Sequence, residues 1–292
     1  VGFNRGDEVF WRDRRSYIPY DGPTADWPET FRTLIADQQI TDLVLYGDVR
    51  AIHADAIRVA RAAGLVVHVF EEGYLRPYWV TYERDGSNGN SRLMRLDLDE
   101  MRQCDTEMPD SPSLWGDMRH HVFYGALYHA QVMFRNARYR NFQPHRDLPV
   151  TREFQLYLKR LLLMPWLALD RMTATTRIRR GGFPYHLALL QLEHDSSFQQ
   201  HSPFDTMAEF LELVIEGFAA GAPAHHHLVF KAHPLEDGRV PQRQVIRRLA
   251  RQHGVAGRVH YVRGGKLARL LNDARSAVTV NSTAGQQVLW RG

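Results

Sequence analysis

Phosphate-binding chemistry is indicated first by residues 230–234 (Phe-Lys-Ala-His-Pro), where an apolar run ends in a cation and a His-Pro pair. Pro234 fixes its own φ and pushes His233 towards an extended conformation, which holds the imidazole at the end of the run. Together with Lys231, an imidazolium there is a candidate to bind a phosphate and to assist its departure as a leaving group. A strand end with a turn and a solvated histidine fits the spacing about equally well.

A second segment with anion-binding character lies nearer the end of the chain. Asn281, Ser282 and Thr283 follow the apolar residues 277–280 and precede Ala284-Gly285. Backbone N–H groups and hydroxyls at the start of a helix form a site for an anion. A plain N-cap explains such a segment on its own, but its pairing with the His-Pro segment in the same half favours a shared phosphate site.

Carboxylates follow apolar runs at two further points. Glu71 and Glu72 are adjacent, so in an extended chain they point to opposite sides and only one of them faces a cleft. That one is a candidate acid/base or ligand of a sugar hydroxyl, unless Arg76 simply neutralises it. Asp195, four residues after Gln191, is a candidate nucleophile or hydroxyl ligand, although an N-cap is the simpler explanation of its position.

The sequence patterns that would indicate a metal site or a membrane-binding surface are weaker than those for phosphate binding. Asp97-Leu98-Asp99 is better explained as a solvated helix start, and the consecutive residues 225–227 (His-His-His) cannot all face one ion. We therefore predict no metal and no cofactor. The Arg- and aromatic-rich stretches 128–139 and 157–180 fit an anionic lipid surface, while packing between domains is the simpler explanation.

The elements that must position these residues follow from hydrophobic periodicity. Strand, helix and strand within thirty residues indicate a βαβ unit, and ligands of such sheets bind beyond the carboxyl ends of the strands, where Asp48 lies. Residues 74–95 are predicted to be loop-like. The pattern predicts strands at 43–46, 65–70, 185–192, 228–230, 260–262 and 277–280, and helices at 52–63, 205–220, 240–253 and 266–273.

The predicted fold class is α/β with two Rossmann-like halves. We place an N-terminal half at 1–112, a helical linking segment at 113–182 and a C-terminal half at 183–292. The chain has 292 residues, begins with Val and ends just after the Ser/Thr segment, so we expect a sequence truncated at both ends.

Composition excludes several classes of protein. A single cysteine, Cys104, rules out a disulfide framework and a cysteine-based zinc site within one chain. The net charge of +4 is too small to imply nucleic acid, but it suits anionic ligands or an anionic membrane surface. No run of about 18 apolar residues is present to span a bilayer.

Several ordered motifs resemble the capsule polysaccharide biosynthesis proteins, most closely the KpsS/LipB branch and the related second module of KpsC. The motifs are FEEGYLRP (70–77), NGNS starting at Asn88, QLEHDSSFQQHSPF (191–204), FKAHPLEDG (230–238) and VNSTAG (280–285). The resemblance runs with gaps from about Phe3 to the last residue.

The resemblance implies a GT-B-like fold and a retaining β-Kdo transferase. Kdo would pass from CMP-Kdo to a (lyso)phosphatidylglycerol-linked acceptor, at the cytoplasmic face of the inner membrane and beside other capsule-assembly proteins. Retention implies a double displacement with a carboxylate nucleophile, for which the position matches Asp195, with Gln191 nearby. Glu72 is the first choice for the acceptor's base and Glu71 the second.

The same resemblance implies which residues bind the donor. Lys231 and His233 would hold the CMP phosphate, and Asn281, Ser282 and Thr283 would complete the pocket. Two alternatives stay open: another nucleotide-sugar transferase or epimerase of similar architecture, and a non-catalytic partner in capsule assembly or export.

Overall fold

The structure is a computed structural model that describes residues 1–73, 79–104, 118–142, 150–264 and 266–291. It divides the chain into two compact units, unit 1 (Val1–Asp147) and unit 2 (Leu148–Gly292). Within the described ranges, no helix has the length and apolar character needed to cross a membrane.

Unit 1 is built around a mixed sheet. Its first two strands are parallel, with Tyr46 paired to Phe70, and its third strand runs antiparallel to the second, with Thr81 paired to Glu71. The unit contains α1 (Arg5–Phe10), α2 (Trp27–Asp37), β1 (Asp42–Tyr46), α3 (Ala51–Ala62), β2 (Val66–Glu72), β3 (Val80–Arg84), α4 (Leu98–Arg102) and α5 (Met118–Arg135).

The core of unit 1 explains why these segments form. Helix α2 buries Trp27 and Phe31 one turn apart, and their stacked rings join the side chain of Ala60 on α3. On β2, Val67 and Val69 are fully buried because alternate residues of a strand share one face. The sheet of unit 1 therefore rests on the α2–α3 pair.

Unit 2 is built around a parallel sheet in the order β6-β5-β4-β7. Such sheets are covered by helices on both faces, which accounts for the continuous apolar runs of β4 and β5. The unit contains α6 (Val150–Arg180), β4 (Tyr185–Leu189), α7 (Ser196–His201), α8 (Met207–Gly221), β5 (His227–Lys231), α9 (Gln242–Gln252), β6 (Val259–Val262), α10 (Leu267–Leu271), β7 (Ala274–Thr279) and α11 (Ala284–Leu289).

Two apolar clusters cover the two faces of this sheet. One joins Phe230 of β5 to Leu211 of α8 and Ile246 of α9. The other joins Val229 of β5 to Ile178, near the end of α6. Neighbouring residues of β5 therefore point to opposite faces of the sheet, as expected for a strand.

The α/β fold class is confirmed, and so are the predicted strands and helices of the two sheets. One local prediction is wrong: residues 80–84, predicted as loop, form β3. The unit boundary also differs from the sequence-based division at 112 and 182. Within 113–182, α5 joins unit 1, where the Tyr128 hydroxyl donates to Asp7 at 2.7 Å, and α6 joins unit 2.

Candidate functional site

The strand order of unit 2 reverses at one point of its sheet. Strands β4, β5 and β6 follow one another in one direction across the sheet, whereas β7 lies on the other side of β4. In doubly wound sheets, ligands bind where the strand order reverses, beyond the carboxyl ends of the strands. In this unit the reversal lies between β4 and β7.

Three predicted site residues fall level with one another at this edge. Leu189 of β4 pairs with Lys231 of β5 and with Thr279 of β7. Two residues further along each strand, the chain reaches Gln191, His233 and Asn281. We call these three residues the edge row.

Two members of the edge row, Gln191 and Asn281, are joined by hydrogen bonds. The Gln191 amide nitrogen donates to the Asn281 side-chain oxygen at 2.7 Å, and the Gln191 amide oxygen accepts from the Asn281 backbone N–H at 3.1 Å. Asn281 also donates to the backbone oxygen of Ser197 at 2.7 Å, which ties the start of α7 to the row. Gln191 is buried, so both ends of its amide are fixed.

Lys231 lies beneath this row as a buried cation. Its side chain is only 6% exposed, and burial lowers the pKa of its ammonium group. Among the described residues, no carboxylate forms an ion pair with it. A buried charge is costly unless it is paired, so this position suits an anionic ligand that supplies the missing charge.

His233 is held in one tautomer by its own loop. The Nδ1 atom lies 3.2 Å from the Leu235 backbone N–H and accepts from it, so the proton of the neutral ring sits on Nε2. In the loop after β6, Gly264 adopts φ +60°, a conformation that favours glycine, and a Cβ there would lie at ordinary contact distance, 3.6 Å, from the Pro234 Cα.

The Ser/Thr segment begins α11 as predicted. The Ser282 hydroxyl accepts from the Ala284 backbone N–H at 3.2 Å, and Thr283 occupies the N-cap position. Since Asn281 belongs to the edge row, these two hydroxyl residues lie directly beside it in the chain.

Asp195 is the N-cap of α7. Its carboxylate accepts from the Ser197 backbone N–H at 3.3 Å, which is the structural role that the sequence left open. The same residue, Ser197, offers its backbone oxygen to Asn281, so Asp195 stands within one short turn of the edge row. The neighbouring Glu193 has a structural contact, because its carboxylate accepts from the Met207 backbone N–H at 2.7 Å.

The carboxyl edge of unit 1 has a different chemistry. Asp48 follows β1 and is buried, and Glu71, at the end of β2, is partly buried beside it. A Cβ at Gly47, which has φ +76°, would lie 3.2 Å from a Glu71 carboxylate oxygen. Burial raises the pKa of Glu71, and the charge of Asp48 adds to this effect. Glu72 is exposed, whereas Glu71 is partly buried.

Asp48 is closed in by the segment after β3. One of its oxygens accepts from the Ser87 backbone N–H at 2.9 Å and from the Asn90 side chain at 3.2 Å. The predicted residue Asn88 lies between these two, in a short 3₁₀ turn at φ +52°. Asn90 and Ser87 were missed by the sequence argument, and their only signal was the turn-rich Asn-Gly-Asn-Ser segment. Arg76 lies outside the described residues.

No group of three His, Cys, Asp or Glu side chains in the described part of the chain is arranged to hold a metal ion. Asp97 instead forms a capping box with Glu100 at the start of α4, as a helix start predicts. The histidines at 226 and 227 each bond to another imidazole, His186 and His260.

Comparison with known proteins identifies the family of this chain. The family model described as "Capsule polysaccharide biosynthesis protein" matches residues 41–292. The chain belongs to this family. The match includes both carboxyl edges described above, and it confirms the resemblance carried by the sequence motifs.

Curated members of the capsule polysaccharide biosynthesis family are similar along almost the whole chain. The capsule polysaccharide export protein KpsS of Escherichia coli is 29% identical over 291 residues, which are 99% of this chain and 74% of KpsS. The capsule polysaccharide modification protein LipB of Neisseria meningitidis serogroup A is 28% identical over 290 residues, 97% of this chain and 69% of LipB.

Two solved structures show a more distant likeness. One is Thermosulfurimonas dismutans KpsC, a beta Kdo 2,7 transferase, at 14% identity and a TM-score of 0.44, covering 89% of this chain and 65% of that one. Another is a putative UDP-N-acetylglucosamine 2-epimerase from Listeria monocytogenes, at 10% identity and a TM-score of 0.27, covering 91% and 59%.

Proposed function

We propose that this chain is a glycosyltransferase of capsule synthesis, a retaining β-Kdo transferase that uses CMP-Kdo and a phosphatidylglycerol-linked acceptor. The observation that carries the proposal is Lys231, a buried cation beneath the edge row of Gln191, His233 and Asn281. Family membership supports a role in capsule synthesis, and the resemblance of the motifs supports the donor and the acceptor.

The phosphate of the donor fits this edge chemically. Lys231 supplies an ammonium group in a poorly solvated position, where an ion pair with a phosphate is stronger than in water. His233 supplies an N–H from Nε2, and Ser282 and Thr283 supply hydroxyls. These groups would stabilise the negative charge that builds on CMP as it leaves. A monophosphate leaving group needs no metal ion to bridge two phosphates, and we propose none.

The transfer itself is proposed as two displacements at the anomeric carbon. An Asp195 oxygen first forms a bond to that carbon while the bond to the CMP oxygen breaks, and CMP leaves with the electron pair. The acceptor hydroxyl then attacks the same carbon, its proton passes to a base, and the Asp195 carboxylate is released. Two inversions give net retention.

Glu71 is our choice for the base, ahead of Glu72. It is partly buried beside Asp48, and its raised pKa brings its proton affinity closer to that of a general base at neutral pH. Asp48 and Asn88 are proposed to contribute to acceptor binding. The lipid acceptor would place the protein at the cytoplasmic face of the inner membrane, in contact with other capsule-assembly proteins.

Nucleotide selectivity is the first test. CMP at 1 mM should raise the midpoint of thermal unfolding, because a ligand that binds only the folded state stabilises it. UDP at the same concentration should leave the midpoint unchanged, because the proposed donor site is specific for CMP. Equal protection by UDP would instead favour the other nucleotide-sugar transferases or epimerases. Protection by neither nucleotide would contradict the proposed donor site.

Transfer is the second test. The protein is incubated with CMP-Kdo generated in situ and a phosphatidylglycerol acceptor analogue that carries a fluorophore, and the products are read by mass spectrometry. A mass increase equal to one Kdo residue is expected. A protein that binds CMP but gives no product with any acceptor of this class would point to the non-catalytic role in capsule assembly.

A further inference from the structure

Helix α6 carries an apolar stripe on the face opposite its packing contacts. On one side, Ala174 and Ile178 contact the core of unit 2. On the other side, Leu158, Leu162 and Leu169 follow one another at intervals of four and seven residues, and this spacing puts them on one face of a helix. Leu162 is 73% exposed and Leu169 is 53% exposed. Met172 continues the stripe, which is about 21 Å long at 1.5 Å per residue.

The α6 stripe exposes several large apolar side chains in a row. Single exposed apolar residues are normal, but a contiguous row of large ones marks a surface that is covered in the functional state. Around Leu162 the exposure extends beyond the stripe, because the consecutive residues Leu163 and Met164 point in other directions and are also exposed.

The charges on α6 identify that interface. The helix has seven Lys and Arg residues against two Asp and Glu residues. Asp170, one of the two acids, is already engaged by Arg243 at 3.9 Å and Arg263 at 3.6 Å. Lys159, at the border of the stripe, and Arg180, on the same face beyond Met172, are exposed and form no ion pair with any residue that the structure describes.

We infer that the α6 stripe docks on a bilayer that contains anionic lipids. Apolar side chains on one face and cations at its borders are the combination that holds a helix in the plane of a membrane interface. Trp166, next to the stripe and 54% exposed, has the ring type that favours the headgroup level. The identity of the partner rests on the proposed lipid-linked acceptor, but the docking surface is argued from the helix alone.

Vesicle sedimentation tests the inference with the full chain. The wild type should bind vesicles of phosphatidylglycerol and phosphatidylcholine at least tenfold more tightly than vesicles of phosphatidylcholine alone. The double variant Leu162→Glu/Leu169→Glu should lose at least tenfold in affinity for the anionic vesicles, because two leucines no longer enter the interface. Lys159→Glu/Arg180→Glu should also lose at least fivefold, and added salt should weaken the wild type.

The matched control is Leu213→Glu on α8, since Leu213 is 56% exposed but lies far from the stripe in the sequence. It should bind vesicles like the wild type. Equal losses in control and stripe variants, no difference between the two kinds of vesicle, or a dimer abolished by the stripe variant would each overturn the inference. CMP protection, measured on the same preparations, reports separately on the proposed function and should be equal in all of them.

Discussion

The two units carry opposite charge although they are almost equal in length. Unit 1 has 18 Lys and Arg against 22 Asp and Glu, a net charge of −4, while unit 2 has 19 against 11, a net charge of +8. The overall value of +4 hides this difference. Because long-range attraction follows the local field, unit 2 is the part of the chain suited to anionic ligands.

The same contrast appears at the carboxyl edges of the two sheets. Unit 2 presents a buried lysine, an imidazole and two amides, all of which can donate hydrogen bonds to a phosphate. Unit 1 presents Asp48 and Glu71, which accept protons and hydroxyl hydrogens. In the proposed reaction, unit 2 would therefore stabilise the leaving group and unit 1 would supply the base, so each role can be removed by its own substitution.

Replacing Asp195 should have the largest effect. Asp195→Asn should lower Kdo transfer by about 10³-fold or more, because an amide cannot form the covalent intermediate. Asn is as good an N-cap as Asp, so the start of α7 and the folded stability should be preserved. The measurement is a product time course by mass spectrometry, with CMP protection measured in parallel.

Asp195→Ala separates the two roles of the residue. It should lose the same activity and also about 1 kcal/mol of stability, since the cap on Ser197 is removed. If Asp195→Asn retains transfer, Asp195 is an N-cap only, and the nucleophile must be sought elsewhere in unit 2.

The two adjacent glutamates provide the next test. Glu71→Gln should lower transfer by about 10²-fold without weakening CMP protection, as expected when a general base is removed. Glu72→Gln, an equal change at the exposed neighbour, should alter transfer by less than about threefold. The reverse ranking in the same assay would restore the choice made from sequence.

Sequence alone predicted the buried framework well, for a physical reason. The runs that became β4 and β5 are apolar because both faces of a parallel sheet are covered. The exposed edge strand β3 was missed, since Glu83 and Arg84 give it no apolar run and its place is set by pairing with β2. Helix α7 was missed as well, because six residues are too few to show a period.

The site was predicted in residue type but not in arrangement. Gln191 and Asn281 are 90 residues apart, and only the return of β7 to the side of β4 brings them into contact. Alternation showed that Glu71 and Glu72 face opposite sides, but the side that is buried depends on how β2 sits on its helices. Long-range packing decided both points, and no local pattern encodes it.

A substitution of Lys231 tests whether the carboxyl edge of unit 2 binds an anion. Lys231→Met should weaken CMP binding by about 10- to 100-fold, the range expected for a charge-assisted hydrogen bond. The same change should leave the ligand-free protein equally stable or more stable, because an unpaired buried cation is replaced by an apolar side chain. Calorimetric titration and thermal unfolding measure the two effects.

Lys266→Met is the control, since Lys266 is an exposed lysine of the same unit. It removes an equal charge and should change CMP affinity by less than about threefold. A similar loss in both variants would mean that the net charge of unit 2, rather than the buried position, attracts the nucleotide.

The smallest effect concerns acid stability and the amino edge of unit 2. His227 Nδ1 lies 2.7 Å from His260 Nε2, and the ring of Phe183 stacks on His227 at 3.7 Å between centroids. Burial lowers the pKa of His260 to about 4, and His227 adds to the effect. The unfolded chain binds this proton near pH 6.5, so the folded state is increasingly disfavoured as the pH falls from 6.5 to 4.

Unit 2 should lose about 1–2 kcal/mol of stability over this range, a value reduced for the partial exposure of His260. Urea unfolding at pH 7 and pH 4.5 measures it, and the His260→Gln variant should show a smaller difference between the two pH values. Glutamine keeps a polar group opposite His227 but does not titrate. If the variant loses as much stability between pH 7 and pH 4.5 as the wild type, other groups cause the acid sensitivity. A smaller loss assigns the sensitivity to His260, in the unit that carries the positive net charge.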